Sequence, residues 1–272
     1  MKDILSEIIA HKRIEIELQK QAVSLERLQE EVAAMMQKDA TAGTSVAIPV
    51  RSMKQALASS PTGIIAEFKR RSPSKGWIHE TARAEEIPAA YETAGASAVS
   101  ILTDEKFFGG SLQDIRMARP LIGIPILRKD FIIDEYQIYE ARAIGADAVL
   151  LISAILSEGQ MKEYSDIAHE LDLECLVEVH NEEEYKKTLG FKPDMLGINN
   201  RNLYTFDVDL ETTGRLSNIV GDHAVLVSES GIKTNADMKK VRSLGADAVL
   251  IGETLMRSGN IGTTLHELRE GV

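Results

Sequence analysis

The sequence predicts an α/β fold, a (β/α)8 TIM barrel with an N-terminal helical extension. A repeated hexapeptide is the first observation behind this prediction: GADAVL occurs at 145–150 and again at 245–250, with a relative, GASAVS, at 95–100. The second is that these copies alternate with other short apolar runs and with segments of helical periodicity, at intervals of about 25 residues. Eight such units fit the usual length of one barrel, so we assign residues 1–272 to a single domain.

Residues 1 to about 60 precede the first predicted strand and form the extension. Apolar residues at helical spacing predict a first helix near the chain start: Ile4, Leu5, Ile8 and Ile9. A second helix is predicted over LERLQEEVAAMMQK, with Ser24 as its N-cap and Glu26 in its first turn. We expect the polar segment 38–45 to be a loop. The helices either close the barrel or pack on its wall, or they act as an oligomerisation arm.

Eight apolar runs are the predicted barrel strands. In chain order they are GIIAEF from residue 63, GASAVS from 95, IPILRKD from 124, GADAVL from 145, LECLVEV from 173, PDMLGI from 193, HAVLVSE from 223 and GADAVL from 245. Helical periodicity marks EEIPAAYETAGA, EYQIYEARAIGA, SEGQMKEYSDIAHEL and TNADMKKVRSLGA between them, and Gly95, Gly145 and Gly245 suit helix ends. An open doubly wound sheet would produce the same local pattern with fewer units, but no GxGxxG follows the first strand.

Composition and charge exclude several classes of protein. The formal net charge is -11 and the isoelectric point about 5.1, which argues against nucleic-acid and membrane-surface binding because both need a basic surface. A local basic pocket for a small anionic substrate remains compatible with this charge. The single cysteine, Cys175, allows neither an intrachain disulfide nor a cysteine-rich metal site, and its apolar neighbours predict a core residue. No apolar run is long enough to span a membrane and the first residues lack a signal-peptide core, so we expect a cytoplasmic protein.

Charged side chains occur where five of the predicted strands end. Glu67 and Lys69 alternate with Phe68, so on a strand both point to one face. Comparable residues end strands further along the chain: Lys129, Asp130, Glu178, Asn199, Asn200, Arg201 and Glu229. Any one of them could simply face solvent. Because barrel active sites lie at the carboxyl ends of the strands, the five together predict a cavity ringed by charged groups.

Two loops predict a phosphate site. SESGI at 228–232 follows the seventh strand and IGETL at 251–255 follows the eighth, where barrel enzymes often hold phosphate. Backbone N–H groups at Gly231 and Gly252 can approach an anion because no Cβ intervenes, although both could be ordinary turn glycines. We expect the Glu253 carboxylate to turn away from such an anion.

The sequence predicts no metal site. Its six histidines are scattered, and no two have the spacing of ligands on one helix. His180, which follows Glu178 closely, is the one nearest the predicted cavity, and we expect it to be a polar residue at the cavity rim.

Seven motifs extend in order over nearly the whole chain. They are IIAEFKRRSPSKG, SILTDEKFFGGS, ILRKDFIIDEYQI, LVEVH, GINNRNL, VSESGI and ADAVLIGE. Through them the chain resembles the indole-3-glycerol phosphate synthase family. The resemblance implies a phosphate-binding barrel without a cofactor, a carboxy-lyase of tryptophan biosynthesis. Its substrate would be 1-(o-carboxyphenylamino)-1-deoxyribulose 5-phosphate, whose indole ring closes with loss of carbon dioxide and water.

The resemblance also implies roles at the reaction centre. Lys129 matches the general acid that protonates the substrate ketone during ring closure, and Glu178 matches a proposed general acid/base. Lys69 and Glu67 match residues implicated in holding the substrate and in the dehydration, and which pair performs the dehydration stays open. Asn199 and Glu229 match residues that line the reaction centre. Arg201 matches a residue that orders the polar network or meets the substrate carboxylate.

Further matches concern the two ends of the substrate. The resemblance places five residues at the phosphate: Ser72, Ser230, Gly231, Gly252 and Glu253. It places Phe108 and Phe131 around the aromatic ring, where ordinary packing is the alternative. It makes three residues apolar walls: Leu203, Leu250 and Ile251. The loop RRSPSKGW after the first strand, within residues 70–78, could serve as a mobile lid.

Three alternatives differ in function. Another phosphate-binding barrel, such as phosphoribosylanthranilate isomerase, would not be expected to combine EFKRRSP with LRKDF. A catalytically silent barrel could bind a phosphorylated metabolite as a scaffold or sensor, but the presence of Lys69, Lys129 and Glu178 argues for catalysis. The N-terminal helices could dock another enzyme of the pathway, and we expect any such contact to be weak. The chain is too short to hold a second barrel.

Overall fold

A closed barrel of eight parallel strands forms the body of the molecule, as predicted. The computed structural model describes residues 4–41, 49–203, 205–221 and 224–272. The strands are β1 Ile64–Phe68, β2 Ala98–Leu102, β3 Ile126–Lys129, β4 Ala148–Ile152, β5 Glu174–Val179, β6 Met195–Asn199, β7 Val225–Glu229 and β8 Ala248–Ile251. Each strand pairs with the next along the chain, and β8 closes the barrel against β1. Each of the eight predicted runs overlaps one strand, although four strands extend one or two residues past the predicted run. His223, at the start of the seventh run, lies outside the described residues.

Helices precede the first strand, and at least one helix follows every strand. Before the barrel lie α1 Ile4–Ala22, α2 Leu25–Thr41 and α3 Met53–Ala58. Along the barrel come α4 Ile87–Thr93, α5 Glu105–Phe108, α6 Leu112–Ala118, α7 Tyr136–Ile144, α8 Glu158–Glu170, α9 Glu182–Lys186, α10 Glu211–Ser217, α11 Asn235–Ser243, α12 Glu253–Met256 and α13 Ile261–Arg269. The four segments predicted to be helical correspond to α4, α7, α8 and α11.

The extension differs from the prediction in two respects. Ser24 Oγ does accept the N–H of Arg27 at 3.3 Å, as expected of an N-cap. However, α2 continues to Thr41, so the expected loop is helical over 38–41, and its residues 42–45 lie outside the described part of the chain. The second difference is α3, which was not predicted because its six residues are too few to show a helical period.

The barrel has an inner and an outer apolar layer. Side chains that point inward from the strands form the inner layer, with members such as Ile65, Leu127, Leu176 and Val227. Met53 and Leu57 of α3 join this layer. Ser52, the N-cap of α3, bonds Glu174 at the beginning of β5, so α3 closes the amino-terminal end of the barrel. The outer faces of the strands pack against the surrounding helices.

Asp147 and Asp247 explain the repeated hexapeptide. Each aspartate precedes its own strand and accepts a backbone N–H from a neighbouring strand, Ile126 at 2.7 Å and Leu226 at 2.9 Å respectively. The glycine two positions earlier ends the preceding helix: Gly145 caps α7 with φ 91°, a conformation that glycine adopts without strain. The repeat therefore encodes a helix end and a link between adjacent strands.

The predictions for Cys175 and for membrane-spanning segments can be compared with the fold. Cys175 is fully buried on β5 with a free thiol, which confirms it as a core residue. Across the ranges that the structure describes, the helices lack the combination of length and apolarity needed to cross a membrane.

Candidate active site

A cavity of about 510 Å³ opens at the carboxyl ends of the barrel strands. Every residue predicted to act on or bind the substrate lines it. The polar members are Glu67, Lys69, Ser72, Lys129, Glu178, Asn199, Arg201, Glu229, Ser230 and Glu253, and the others are Phe108, Phe131, Leu203, Gly231, Leu250, Ile251 and Gly252. The barrel brings these distant residues together because all of its parallel strands end at the same rim.

Lys129, the last residue of β3, lies between two carboxylates. Its Nζ is 3.0 Å from Glu178 Oε2 and 3.6 Å from Glu229 Oε2. The lysine side chain is 14% exposed and the two glutamates are 3% and 2% exposed, so water screens these interactions weakly. Protonation of the three groups is therefore shared across the cluster rather than independent.

The surroundings of the cluster shift the pKa values of its two carboxyl groups in opposite directions. Burial alone lowers the pKa of Lys129, but the carboxylates of Glu178 and Glu229 outweigh burial and raise that pKa above its ordinary value. Burial favours the neutral form of Glu178, yet Lys129 and His180 hold the pKa of that carboxyl below its usual range. Burial and repulsion from Glu178, partly offset by Lys129, raise the pKa of Glu229 to about 8. One cavity thus holds an ammonium, an ionised carboxylate and a carboxyl that keeps its proton near neutrality.

Glu67 and Lys69 form a second ion pair in the same cavity, between Glu67 Oε1 and Lys69 Nζ. Their side chains are 6% and 17% exposed, so each charge compensates the other where water is scarce. A Cβ at Gly252 would overlap Glu67 Oε1. Glycine at 252 therefore leaves room for the Glu67 carboxylate, a reason that differs from the predicted approach of an anion.

His180 is a largely buried bridge between two carboxylates, so its prediction as a rim residue was wrong. Its side chain is 9% exposed, with Nδ1 2.9 Å from Glu184 Oε2 and Nε2 3.3 Å from Glu178 Oε1. Burial lowers the pKa of His180, but hydrogen bonds to Glu178 and Glu184 outweigh it and raise that pKa to about 10. The four-residue spacing of His180 and Glu184 was the pattern that could have revealed this bridge.

Asn200 connects the ends of two neighbouring strands. It is 3% exposed, and its Nδ2 donates to the backbone oxygens of Glu229 at 3.0 Å and Ser230 at 3.1 Å. Its neighbour Asn199 lines the cavity and accepts the N–H of Arg201 on Oδ1 at 3.0 Å. Asn200 therefore holds the backbone that carries Glu229, while Asn199 shapes the turn that carries Arg201.

Both predicted phosphate loops line the cavity. Ser230 and Gly231 have φ of 67° and 88°, so the backbone turns sharply after β7. Glu253 Oε1 accepts from Arg257 Nε at 3.0 Å, so the carboxylate that would repel an anion is paired with a cation. Three cations that we did not predict also line the cavity: Lys75, Lys233 and Arg257. They lie beyond the strand ends, where position along a strand no longer indicates which way a side chain points.

An aromatic pair lies in the same cavity. The rings of Phe108 and Phe131 have centroids 5.9 Å apart and planes at 38°. Apolar residues of α1 complete the wall, an involvement that the sequence analysis missed: Ile4, Leu5 and Ile8. Their pattern predicts an amphipathic helix, but not the surface on which that helix packs.

Residues 70–78 contain a short antiparallel ribbon, in which Arg71–Ser72 pairs with Gly76–Trp77. Arg70 holds its base, with NH1 and NH2 donating to the two carboxylate oxygens of Asp114 at 2.6 and 2.8 Å. The tip, residues 73–75, lines the cavity. The ribbon is therefore held at its base and reaches the cavity through its tip.

One group of potential metal ligands comes together away from the cavity. Ligand atoms of His169, Cys175 and Asp194 lie within 4.8 Å of one another. Burial raises the pKa of the Cys175 thiol, and Asp194 Oδ2 already accepts the Cys175 N–H at 2.9 Å and lies 2.8 Å from His169 Nε2. Hydrogen bonds within the protein thus explain why His169, Cys175 and Asp194 lie close together.

Comparison with known protein families gives a match over almost the full length. The model of the indole-3-glycerol phosphate synthase family matches residues 5–268. The chain belongs to this family. That membership confirms the resemblance predicted from the seven motifs and the predicted enzyme class, a lyase of tryptophan biosynthesis.

Two curated relatives illustrate the similarity within the family. Indole-3-glycerol phosphate synthase of Bacteroides thetaiotaomicron is 56% identical over 272 residues and covers 100% of both chains. The protein of the same name from Desulfotalea psychrophila is 46% identical over 271 residues, covering 98% of this chain and 99% of its own. Both alignments include the N-terminal extension as well as the barrel.

Solved structures of more distant proteins share the fold of most of this chain. The N-acetylmannosamine-6-phosphate 2-epimerase from Clostridium perfringens matches with a TM-score of 0.59 and 15% identity, over 79% of this chain and 95% of that one. Thiamine phosphate pyrophosphorylase from Pyrococcus furiosus matches with a TM-score of 0.58 and 17% identity, over 80% and 96%. At such low identity these similarities support the fold only.

Proposed function

We propose that the chain closes the indole ring of 1-(o-carboxyphenylamino)-1-deoxyribulose 5-phosphate, with Lys129 as the general acid. The observation that carries this proposal is the position of Lys129 Nζ, 3.0 Å from Glu178 and 3.6 Å from Glu229 within the cavity. Cations and an aromatic pair line the same cavity, which suits a substrate with a phosphate and an aromatic ring.

Ring closure requires an acid at the substrate ketone. As the aromatic carbon attacks the ketone carbon, negative charge develops on the carbonyl oxygen, and Lys129 transfers its proton to that oxygen. The raised pKa of Lys129 keeps the group protonated beforehand, the state in which an acid must begin. A positioned acid contributes roughly 10²–10⁴-fold to a rate.

Decarboxylation and dehydration complete the reaction. Departure of carbon dioxide leaves its electron pair in the ring and restores the benzene system. The new hydroxyl then takes a proton and leaves as water, while a base removes a proton from the adjacent carbon. Glu229 retains a proton near neutrality and Glu178 is ionised, so the two can serve as donor and acceptor. The Lys69–Glu67 pair is a second donor–acceptor pair within the cavity.

The two ends of the cavity suit the two ends of the substrate. We place the phosphate at the Ser230–Gly231 turn and the beginning of α12, near Ser72, where Lys75 and Lys233 add positive charge. We place the anthranilate ring against Phe108 and Phe131. Arg201 lines the cavity as well and can meet the ring carboxylate.

An indole fluorescence assay with this substrate tests the proposal. It is run with and without EDTA, on the parent protein and on Lys129→Ala, and is paired with a measurement of inorganic phosphate binding. Lys162→Ala is the matched control, because Lys162 pairs with Asp166 on an exposed helix surface, 2.6 Å away.

We expect turnover that survives EDTA, falls at least about 10³-fold in Lys129→Ala and is unchanged in Lys162→Ala. Phosphate binding should change little in either variant. Equal losses of turnover and phosphate binding in Lys129→Ala would contradict a transition-state role. An absence of turnover in a parent protein that binds phosphate tightly would favour the catalytically silent barrel.

We also propose a cytoplasmic location and, at most, weak contact with other enzymes of the pathway. A single buried cysteine suits a reducing compartment, where disulfides contribute little to stability. Fractionation of the native host, with the chain detected by antibody, would test the location. Cross-linking in the same extract would test the contacts.

A further inference from the structure

Lys12 is a buried cation of α1 that touches three carboxylates. Its side chain is 1% exposed, and Nζ lies 2.9 Å from Asp130 Oδ1, 3.1 Å from Asp104 Oδ2 and 3.0 Å from Glu15 Oε2. Asp104 and Asp130 are themselves almost completely buried. Lys12 thus connects the extension to the rim of the barrel from behind the cavity wall.

Such a cluster is costly to bury. Each ion leaves its hydration shell, and apolar side chains of similar size in place of all the charged members would avoid this cost. Burial lowers the pKa of Lys12, yet Asp130 and Asp104 outweigh burial and raise that pKa above its ordinary value, so the group is charged. The arrangement therefore calls for an explanation beyond simple packing.

The two aspartates are joined by hydrogen bonds and by the chain itself to the aromatic pair and to Lys129. Asp104 is the N-cap of α5: its Oδ1 accepts the Phe107 N–H at 2.8 Å, and α5 ends in Phe108. Asp130 follows Lys129, and its Oδ1 accepts the Phe131 N–H at 2.8 Å. A single ammonium thus connects the turn that carries Phe108 with the turn that carries Lys129 and Phe131.

We propose that Lys12 is a positioning residue, which fixes the spacing of the Phe108–Phe131 pair and the approach of Lys129 to the ring held between them. The proposal rests on the proposed function and adds the extension to the machinery that orients the ring. A misplacement of about 1 Å at a reacting group can cost about 10²-fold in rate.

A second ion pair on the same helix provides a matched control. Lys20 Nζ lies 2.7 Å from Asp134 Oδ2, but the two side chains are 29% and 30% exposed. This pair also joins α1 to the barrel without contacting Asp104 or Asp130. If Lys12 merely fastens α1 to the barrel, substitutions of Lys12 and Lys20 should have effects of the same kind.

The test compares Lys12→Met with Lys20→Met in full-length protein. Three quantities are measured: turnover of the carboxyphenylamino-deoxyribulose phosphate, equilibrium binding of anthranilate as a ring probe, and binding of inorganic phosphate. For Lys12→Met we expect kcat to fall about 100-fold and anthranilate binding to weaken about 10-fold, with phosphate binding within about twofold. For Lys20→Met all three should stay within about threefold of the parent.

Lys12→Met leaves the buried Asp104 without its cation and leaves Asp130 with Arg128 alone, 3.1 Å away, so loss of folding must be separated from loss of positioning. The double variant Lys12→Met/Asp104→Asn removes one of those charges, and asparagine remains able to cap α5. We expect its thermal midpoint to recover most of the loss while kcat and anthranilate binding stay low. Recovery of the thermal midpoint, kcat and anthranilate binding together would overturn the proposal. Parent-like anthranilate binding in a folded Lys12→Met would overturn it as well.

The readouts separate this proposal from the proposed function. If the parent protein failed to turn the substrate over, the proposed function would fall, and anthranilate binding would still decide whether Lys12 positions the ring site. If the parent is active and Lys12→Met equals it in kcat and ring binding, only the role of Lys12 is wrong.

Discussion

The carboxylate of Glu229 occupies the space that a β-carbon at position 197 would need. Gly197 lies within β6, and an added Cβ would overlap Glu229 Oε1 from the neighbouring strand. The other oxygen of the same carboxylate, Oε2, is 3.6 Å from Lys129 Nζ. Glycine in a strand interior weakens the strand, and here it permits a close approach that places a second carboxyl beside the lysine.

Gly197→Ala should displace Glu229 and lower activity. We expect kcat to fall about 10–100-fold, because the acid–base cluster loses its geometry. Overpacking should also lower the free energy of unfolding by roughly 1–3 kcal/mol. The measurements are steady-state kinetics and urea unfolding.

Gly159→Ala is the control for that change. Gly159 lies in α8, and a Cβ there would have no heavy atom within 4 Å. It should leave kcat unchanged and stabilise the helix by about 0.5–1 kcal/mol. Parent-like kinetics in Gly197→Ala would show that the position of Glu229 does not matter to turnover.

The bridge made by His180 should give a pH-dependent stability. Its pKa is raised from 6.5 to about 10, so the folded protein holds this proton more tightly than the unfolded chain. The stabilisation is fully present below pH 6.5 and is lost as the pH rises through 10. His180→Gln should therefore cost about 3 kcal/mol at pH 6, typical of a broken buried ion pair, and clearly less at pH 10.

Urea unfolding at several pH values checks the effect of His180→Gln. His169→Gln serves as the control, since the His169 side chain is 43% exposed where it meets Asp194. Its cost should stay below about 1 kcal/mol. A cost of His180→Gln that did not change with pH would show that the charge of the imidazolium does not stabilise the fold.

Asn200→Ala should weaken the turn that carries Glu229 and Ser230. The backbone oxygens of both lose a donor, and the Thr213 N–H and hydroxyl lose the acceptor that they share. We expect a loss of roughly 2–3 kcal/mol in stability, because buried polar groups are left unpaired. We also expect kcat/KM to fall about 10-fold. Asn218→Ala, at the exposed end of α10, should change stability by no more than about 0.5 kcal/mol.

The ribbon at residues 70–78 should respond to ligand if it acts as a lid. Trp77 is the single tryptophan of the chain and is 49% exposed, so its emission reports on this ribbon. Inorganic phosphate should change the Trp77 emission and slow tryptic cleavage after Lys75. Trp77→Phe and Lys75→Gln are the respective controls. If saturating phosphate altered neither the emission nor the cleavage, the lid hypothesis would be abandoned.

The strands, several of the helices and much of the cavity lining could be predicted because they depend on local sequence patterns. Apolar runs and helical periods depend on which face of an element is buried, and the eight strands follow from them. Charged residues at strand ends are equally visible, so the cavity lining was predicted through Lys129, Glu178 and Glu229. His180 was the error among these polar residues, because the interpretation stopped at the strand end and ignored Glu184.

Other features were decided only by the tertiary structure. Lys12 looks like an ordinary basic residue on an amphipathic helix, and only the packing of α1 on the barrel rim brings it to Asp104 and Asp130. Gly197 and Glu229 belong to different strands, so their contact depends on strand register. The physical reason is the same in both cases: the pattern of a segment determines which of its faces is buried, whereas the charge that meets a given charge depends on residues far away in the chain.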